Sequence, residues 1–168
     1  DDLILGEELG QGQGRGGGVR WVVDPIDGTV NYVYGLPPYA VSIAAQIDGD
    51  TVAAVVRNAA SGEQWAAVRG GGAWRDGMRL SGSPATDLSR SLIATGFCYD
   101  ATGRRFQAGV AAAILPLVRD IRRFGAASVD LCFAAEGRVD AYFEQGLNEW
   151  DHAAGALIAR EAGLLVTG

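Results

Sequence analysis

Trp21-Val22-Val23-Asp24-Pro25-Ile26-Asp27-Gly28-Thr29-Val30-Asn31-Tyr32, residues 21–32, is the stretch on which the reading of the whole chain turns. An apolar run from Val19 to Val23, with Trp21 inside it, reads as a buried strand, and two carboxylates stand where that strand is expected to stop. Pro25 removes a backbone donor and fixes φ while Gly28 permits a tight turn, so Asp24 and Asp27 face one space from one rim. Thr29 opens a short segment running to Tyr34 whose first free N–H groups suit an anion. Two acids ahead of such a turn point to a metal-bridged phosphate. Taken alone, D-P-x-D-G serves equally well as a surface turn.

The neighbouring segments decide between these uses. Leu3-Ile4-Leu5 is a short strand ended by Gly6 and followed by Glu7 and Glu8, which in isolation read as solvated loop residues. The polar, glycine-rich loop from Gln11 to Gly18 lets the chain fold back, which sets the ends of the Leu3 and Val19 strands side by side and brings Glu7 near Asp24. Glu8 is left a structural or outer position.

Downstream, Tyr39 to Ile47, Thr51 to Val56, Gln64 to Val68 and Ala73 to Arg75 read as strands. The breaks at Asp48-Gly49-Asp50, Ser61-Gly62-Glu63 and Gly70-Gly71-Gly72 make them hairpins of an antiparallel sheet. Trp65 and Trp74 are core or sheet-face aromatics. Leu92 to Gly96 is a further strand. The spacing of Phe106, Val110, Ala113, Ile114, Leu117, Val118 and Ile121 predicts an amphipathic helix from Arg104 to Arg122, which Pro116 is expected to bend or to end. A second helix is expected from Gly125 to Gly137 with Val129, Cys132, Phe133 and Ala135 inward, then a strand from Val139 to Phe143 with Glu144 at its end. The last helix opens at Trp150-Asp151, where Asp151 also makes a good N-cap, and stops at Gly163. This order of strands and helices predicts an α+β fold in layers, one domain over residues 1–168, with no internal repeat.

The 168 residues suffice for a sizeable core, and the 25 glycines are spread among apolar runs. Fourteen Lys plus Arg against twenty Asp plus Glu leave a net charge of −6, which argues against a general nucleic-acid surface. An acidic protein that handles an anionic substrate needs cations between them. Cys98 and Cys132 are isolated and in apolar company, as buried thiols of a reducing compartment are. No apolar run approaches membrane-spanning length, so a cytoplasmic protein without a membrane partner is the expectation.

Five acids therefore stand at the ends of elements: Glu7, Asp24, Asp27, Glu144 and Asp151. An all-oxygen ligand set suits Mg²⁺, whereas zinc favours His or Cys. The sole histidine, His152, lies at a helix start and reads as a packed or partly exposed side chain, and no nucleophile-elbow sequence accompanies it. Water activated by a cation is thus the more credible nucleophile.

W-V-V-D-P-I-D-G-T-V-N-Y (Trp21 to Tyr32), the upstream I-L-G-E-E (Ile4 to Glu8) and the downstream W-D-H-A-A-G-A-L-I-A-R-E-A-G (Trp150 to Gly163) together resemble the inositol monophosphatase family, in the style of its bacterial members. R-R-F-G-A-A-S-V-D-L-C (Arg122 to Cys132) and G-R-V-D-A-Y-F-E (Gly137 to Glu144) extend the resemblance over nearly the whole chain. The resemblance implies a layered α/β/α/β sandwich whose N-terminal helical layer has no counterpart in these residues. It also implies an Mg²⁺-dependent phosphatase of small polyol phosphates, above all myo-inositol 1-phosphate, that is lithium-sensitive and homodimeric. Glu7, Asp24 and the Ile26 carbonyl would hold an activating Mg²⁺; Asp24, Asp27 and Asp151 would hold a second, and Glu7 would help hold a third, weaker ion. The Gly28 and Thr29 N–H groups would bind phosphate, with Thr29 and Glu7 orienting the attacking water. Asp27, the backbone of Ala126 and Ala127, Glu144 and Asp151 would meet the polyol hydroxyls.

The same metal and phosphate residues would serve relatives acting on histidinol phosphate, fructose 1,6-bisphosphate or 3′-phosphoadenosine nucleotides. A regulatory, RNA-linked role is the rival from another class, with Arg119, Arg122 and Arg123 as its basic cluster. Two departures stand out: Leu164 occupies the place of the family's usual second glycine, and nothing here matches the family's upstream acid that supports the threonine.

Overall fold

A computed structural model of the chain describes residues 2–8, 10–11 and 18–168. The glycine-rich loop expected between Gln11 and Gly18 lies largely outside the described residues. Among the described residues, one mixed sheet is built from β1 (Leu3–Gly6), β2 (Gly10–Gln11), β3 (Arg20–Asp27), β4 (Ala40–Ile47), β5 (Asp50–Asn58), β6 (Gln64–Val68), β7 (Gly72–Arg75) and β8 (Met78–Arg79). Its order is β2-β1-β3-β4-β5-β6-β7-β8. β1 runs parallel to β3, with Gly6 opposite Val23, while β3 to β8 pair antiparallel in sequence, with β4 to β7 the expected hairpins. Asp48 and Gly49, at φ 52° and 85°, make the tight turn between β4 and β5.

A second, parallel sheet, β10-β9-β11, comprises β9 (Leu92–Thr95), β10 (Asp120–Arg122) and β11 (Ala141–Phe143). β9 and β11 fall within the strands expected at Leu92 to Gly96 and Val139 to Phe143, whereas β10, three residues long, falls inside the segment read as helix. That helix is shorter and earlier than expected: α2 spans Ala101–Ile114, capped by Asp100, whose carboxylate accepts the Gly103 N–H at 2.7 Å. Pro116 sits in a 3₁₀ turn, Leu115–Leu117, after which the chain turns extended. Phe106 and Leu117, expected to face inward, are 62% and 56% exposed.

α3 (Ala127–Glu136) and α4 (Glu149–Glu161) lie between the two sheets, α4 against β3 to β7 and α3 against α4, β9 and β11. Small residues let the two helices approach: a Cβ on Gly155 would stand 2.7 Å from that of Leu131. Val129, Cys132 and Ala135 of α3 are buried as expected, and with Trp65, Val56, Leu157 and Ile158 they form the core. A fully buried Ile158 is worth about 2 kcal/mol in desolvation alone. α3 starts at Ala127 and not at Gly125, because Gly125 has φ 93°, outside the helical region. No helix among the described residues is long and apolar enough to cross a membrane.

Candidate active site

Alternation along β3 puts Val22 and Asp24 on the same, inward face, each 1% exposed, so the carboxylate is set at the edge of the apolar core. The strand does not stop there. It continues through Pro25 to Asp27, with a register shift against β4 between Asp24 and Asp27. The shift forms a β-bulge, which admits a residue without a ladder donor and re-aims both acids. The Ile26 N–H donates to Asp24 Oδ1 at 2.9 Å, and the Thr29 hydroxyl donates to the Ile26 carbonyl at 2.9 Å. Gly28 follows at φ 87°, and a Cβ there would stand 3.0 Å from the Pro38 carbonyl and 3.1 Å from that of Gly125, so glycine is required on two counts. The short helix α1, Thr29–Tyr34, begins immediately after it.

Asp27 is buried against the first turn of α3. Its Oδ1 accepts the Ala127 N–H at 3.2 Å and its Oδ2 the Ser128 N–H at 2.7 Å, with the Ser128 hydroxyl adding a third bond. These donors are otherwise orphan amides of a helix start. The Ala127 amide expected to meet a polyol is thus engaged by Asp27. Ala126, 1% exposed, belongs to the core and does not line the cavity, whereas Ala127 does.

Asp151 is brought in by α4. Glu149, at the helix start, receives both guanidinium nitrogens of Arg20 from β3, at 2.7 and 2.8 Å, and the Gln46 amide of β4 at 2.8 Å. Ser42 of β4 adds a bond to the Trp150 carbonyl. The start of α4 is therefore pinned to the sheet, and Asp151 falls beside Asp24. Its place is the third helical position and not the N-cap, which is Asn148; Asp151 Oδ2 accepts the Asn148 N–H at 2.6 Å, leaving Oδ1 for another partner.

Ligand oxygens of Asp24, Asp27 and Asp151 lie within 4.8 Å of one another. Among the described residues no Lys, Arg or His forms an ion pair with any of them. Burial, then the charge of Asp27, pushes Asp24 up to about 7, and burial pushes Asp27 up to about 6 despite its three donors. Asp151 is also raised, again chiefly by burial. Three adjacent carboxylates on an all-oxygen site, without an ion pair among the described residues, fit a hard divalent ion such as Mg²⁺.

A cavity of about 130 Å³ opens onto the three aspartates and is also walled by Glu7, Ile26, Gly28, Thr29 and Glu144. Glu7 is exposed and stands outside the close triad, its carboxyl raised by partial burial and by Asp151 and Glu8. Glu144 enters from the end of β11; its Oε2 accepts the Tyr142 hydroxyl at 2.6 Å, and its carboxylate occupies space that a Cβ on Gly96 would fill, at 1.9 Å. His152 faces a different cavity, of about 550 Å³, between α3, α4, β11 and residues 164–168.

Sequence reasoning missed three contributors. Tyr142 and Gly96 carry no signal until the ends of β9 and β11 are seen together. Arg123, read with Arg119 and Arg122 as one basic face, instead lines the acid-walled cavity, while Arg122 is bound by the Asp120 carboxylate.

Comparison with known proteins places the chain among related sequences. A family model described as the inositol monophosphatase family matches residues 1–168. The inositol-1-monophosphatase of Mycobacterium leprae is 48% identical over 98% of this chain and 60% of its own length. The Nus factor SuhB of Escherichia coli is 44% identical over 98% of this chain and 62% of its own. The solved structure of Mycobacterium tuberculosis SuhB superposes with a TM-score of 0.84 at 51% identity, covering 95% of this chain and 63% of that one. The chain thus spans about 60% of the length of the curated relatives it matches.

Proposed function

Because the chain belongs to the inositol monophosphatase family, we propose that it hydrolyses a small polyol phosphate monoester, myo-inositol 1-phosphate first among them, with Mg²⁺ as cofactor and residues 1–168 acting as one phosphatase unit. The observation that carries this reading is the Asp24, Asp27 and Asp151 triad, three closely spaced acids that form no ion pair with a cation among the described residues. Divalent ions bound there would supply charge neutralisation for the phosphate and acidify the attacking water.

The chain's own groups do the positioning. The Gly28 and Thr29 amides at the cavity wall would receive phosphate oxygens. With its proton given to the Ile26 carbonyl, the Thr29 hydroxyl has lone pairs left to accept a hydrogen bond from the attacking water. Glu7, at the cavity mouth, would take that water's proton. Asp27, tied to α3, keeps the bulge of β3 fixed while substrate enters. Glu144, held by Tyr142, would accept a polyol hydroxyl. A homodimer of this unit in the cytoplasm belongs to the same reading. Inorganic phosphate release from myo-inositol 1-phosphate, with Mg²⁺ and then with excess chelator, tests it; turnover that persists in chelator refutes the metal role.

The name of the Escherichia coli relative favours one second reading, a role in transcription independent of turnover. Charge reversal at Arg119 and Arg122 that abolishes RNA association while sparing phosphate release would support it.

A further inference from the structure

The parallel strands β9 and β11 both run out onto the acid-walled cavity, at their carboxyl ends, where parallel sheets bind their ligands. β9 leads into Phe97, Cys98 and Tyr99, and β11 into Glu144, Gly146 and Leu147, all of them cavity wall. These two loops close the cavity where the aspartate triad and the Gly28-Thr29 turn do not. They also touch each other: the Glu144 carboxylate fills the space beside Gly96, and a Cβ on Gly146 would meet that of Cys98 at 3.6 Å.

One side chain of α2 joins the two loops. Gln107 Oε1 accepts the Cys98 N–H at 2.9 Å, and its Nε2 donates to the Gln145 carbonyl at 2.8 Å. A single amide thus satisfies a donor of the first loop and an acceptor of the second, a pairing that neither an apolar side chain nor a carboxylate reproduces. The helix that carries it buries little else. Gln107, Val110, Ala111 and Ile114 recur at the spacing of one helix face, yet of the fourteen residues of α2 only Gln107, 7% exposed, is buried. A polar group taken out of water costs stability unless its ends are paired, so the place of Gln107 answers to the loops and not to the core.

We propose that Gln107 is a positioning residue for the leaving-group wall: by clamping the loops after β9 and β11 to each other, it holds Glu144 and its neighbours at the spacing that receives the alcohol part of the substrate. Gln107 itself does not line the cavity and touches no substrate. Without the clamp, the Cys98 N–H and the Gln145 carbonyl must find water, and the loops move to reach it. The phosphate end, built on β3, α1 and α4, does not depend on it. This rests on the phosphatase reading above.

The test compares wild type with Gln107→Leu, which removes both bonds at similar volume, and with Gln107→Glu, which keeps the acceptor for Cys98 and loses the donor for Gln145. KM and kcat for myo-inositol 1-phosphate are measured with Mg²⁺, together with the inhibition constant of inorganic phosphate, which engages the phosphate end alone. KM and the inhibition constant are both insensitive to the fraction of folded enzyme, so their ratio separates positioning from lost stability. The expected result for Gln107→Leu is a ratio about tenfold above wild type, carried by KM with kcat little changed, and for Gln107→Glu a smaller rise. A rise in Gln107→Leu alone assigns the clamp to the Cys98 bond. A ratio unchanged in both variants, whether or not kcat falls, overturns the proposal, and Gln107→Glu decides alone if Gln107→Leu does not fold. If wild type releases phosphate from no ester, the phosphatase reading fails. Calorimetric titration of myo-inositol 1-phosphate and of inorganic phosphate in the presence of Ca²⁺ then decides the Gln107 inference, which is overturned if the variants keep the wild-type ratio of the two Kd values or if wild type does not bind the ester.

Discussion

Two groups of acids sit at opposite ends of α3 and are treated in opposite ways. Beside Trp65, Glu63 and Glu136 are interleaved with Arg75 and Arg138 in a ladder of ion pairs, and the Arg138 guanidinium also lies over the Phe133 ring, 4.9 Å from its centroid. Arg138 draws the Glu63 carboxyl below its usual range. In the cavity, Asp24, Asp27 and Asp151 are packed together without a single ion pair among the described residues, and burial drives all three upward. Acids that fold for stability are given arginines. The cavity acids are left charged against one another, which is worth tolerating only if something from outside completes them.

The contrast breaks most visibly at the aspartates. Asp24→Asn and Asp151→Asn are each expected to lower Mg²⁺-dependent phosphate release by roughly a thousandfold, about 4 kcal/mol in the barrier, while thermal melting of the metal-free protein stays put or rises. A variant that keeps its turnover would move the site elsewhere.

The pH response of stability comes next in size. Asp24 and Asp27 have folded values of about 7 and about 6, above the roughly 3.9 of an unfolded aspartate, so their contribution is fully present below about pH 4. It is lost as pH rises through about 6 and then about 7, on the order of 2 kcal/mol for the pair after screening and coupling are discounted. Glu63 runs the other way: its contribution is present above the unfolded value and is lost as pH falls through its lowered one. Denaturant unfolding of metal-free protein across this range, repeated with Mg²⁺, should show the loss between pH 4 and 7 and its recovery by the ion. A flat profile would mean that the cavity acids are not confined as described.

Smaller effects sharpen the comparison. Glu144→Gln should raise KM about fivefold, with a lesser change in kcat, measured on a polyol phosphate, since an amide accepts a hydroxyl proton less strongly than a carboxylate. Arg138→Gln, at the paired and partly exposed end, should cost only about 0.5–1 kcal/mol in chemical denaturation and leave turnover alone.

Much of this was legible in the residues themselves, and the exceptions have physical causes. β4 to β7 are announced by Asp48-Gly49-Asp50, Ser61-Gly62-Glu63 and the glycine run at 70–72, turn residues whose local preferences agree with the sheet. Asp24, Asp27 and Asp151 stood at recognisable element ends. What Pro25 concealed is that β3 continues past it, because a bulge admits a residue without a ladder donor. Pro116 was legible as a bend or an end of the helix, and the end is what forms; the apolar period from Phe106 to Ile121 nevertheless ran on past it, since positions that remain exposed keep the same spacing as buried ones, and so concealed β10. The pairing of Asp27 with Ser128 has no local signature at all. Neither has Asp130, 1% exposed, with neither oxygen finding a hydrogen-bond partner among the described residues and its carboxyl pushed up to about 8 by burial and by the charges of Asp27 and Glu144. Such placements are decided when distant segments dock.

That docking bears on when the site can exist. The bonds from the start of α3 to Asp27 span 101 positions of chain at Ser128, and the Arg20 to Glu149 pair that locates Asp151 spans 129. A partly assembled chain with its sheet formed but its helices undocked would hold Asp24 and Asp27 on an unbraced bulge and Asp151 nowhere near them. Contacts this remote in sequence are slow to close. An ion held by this cavity would accordingly be captured late in assembly, a seal on the finished architecture in place of a seed for it.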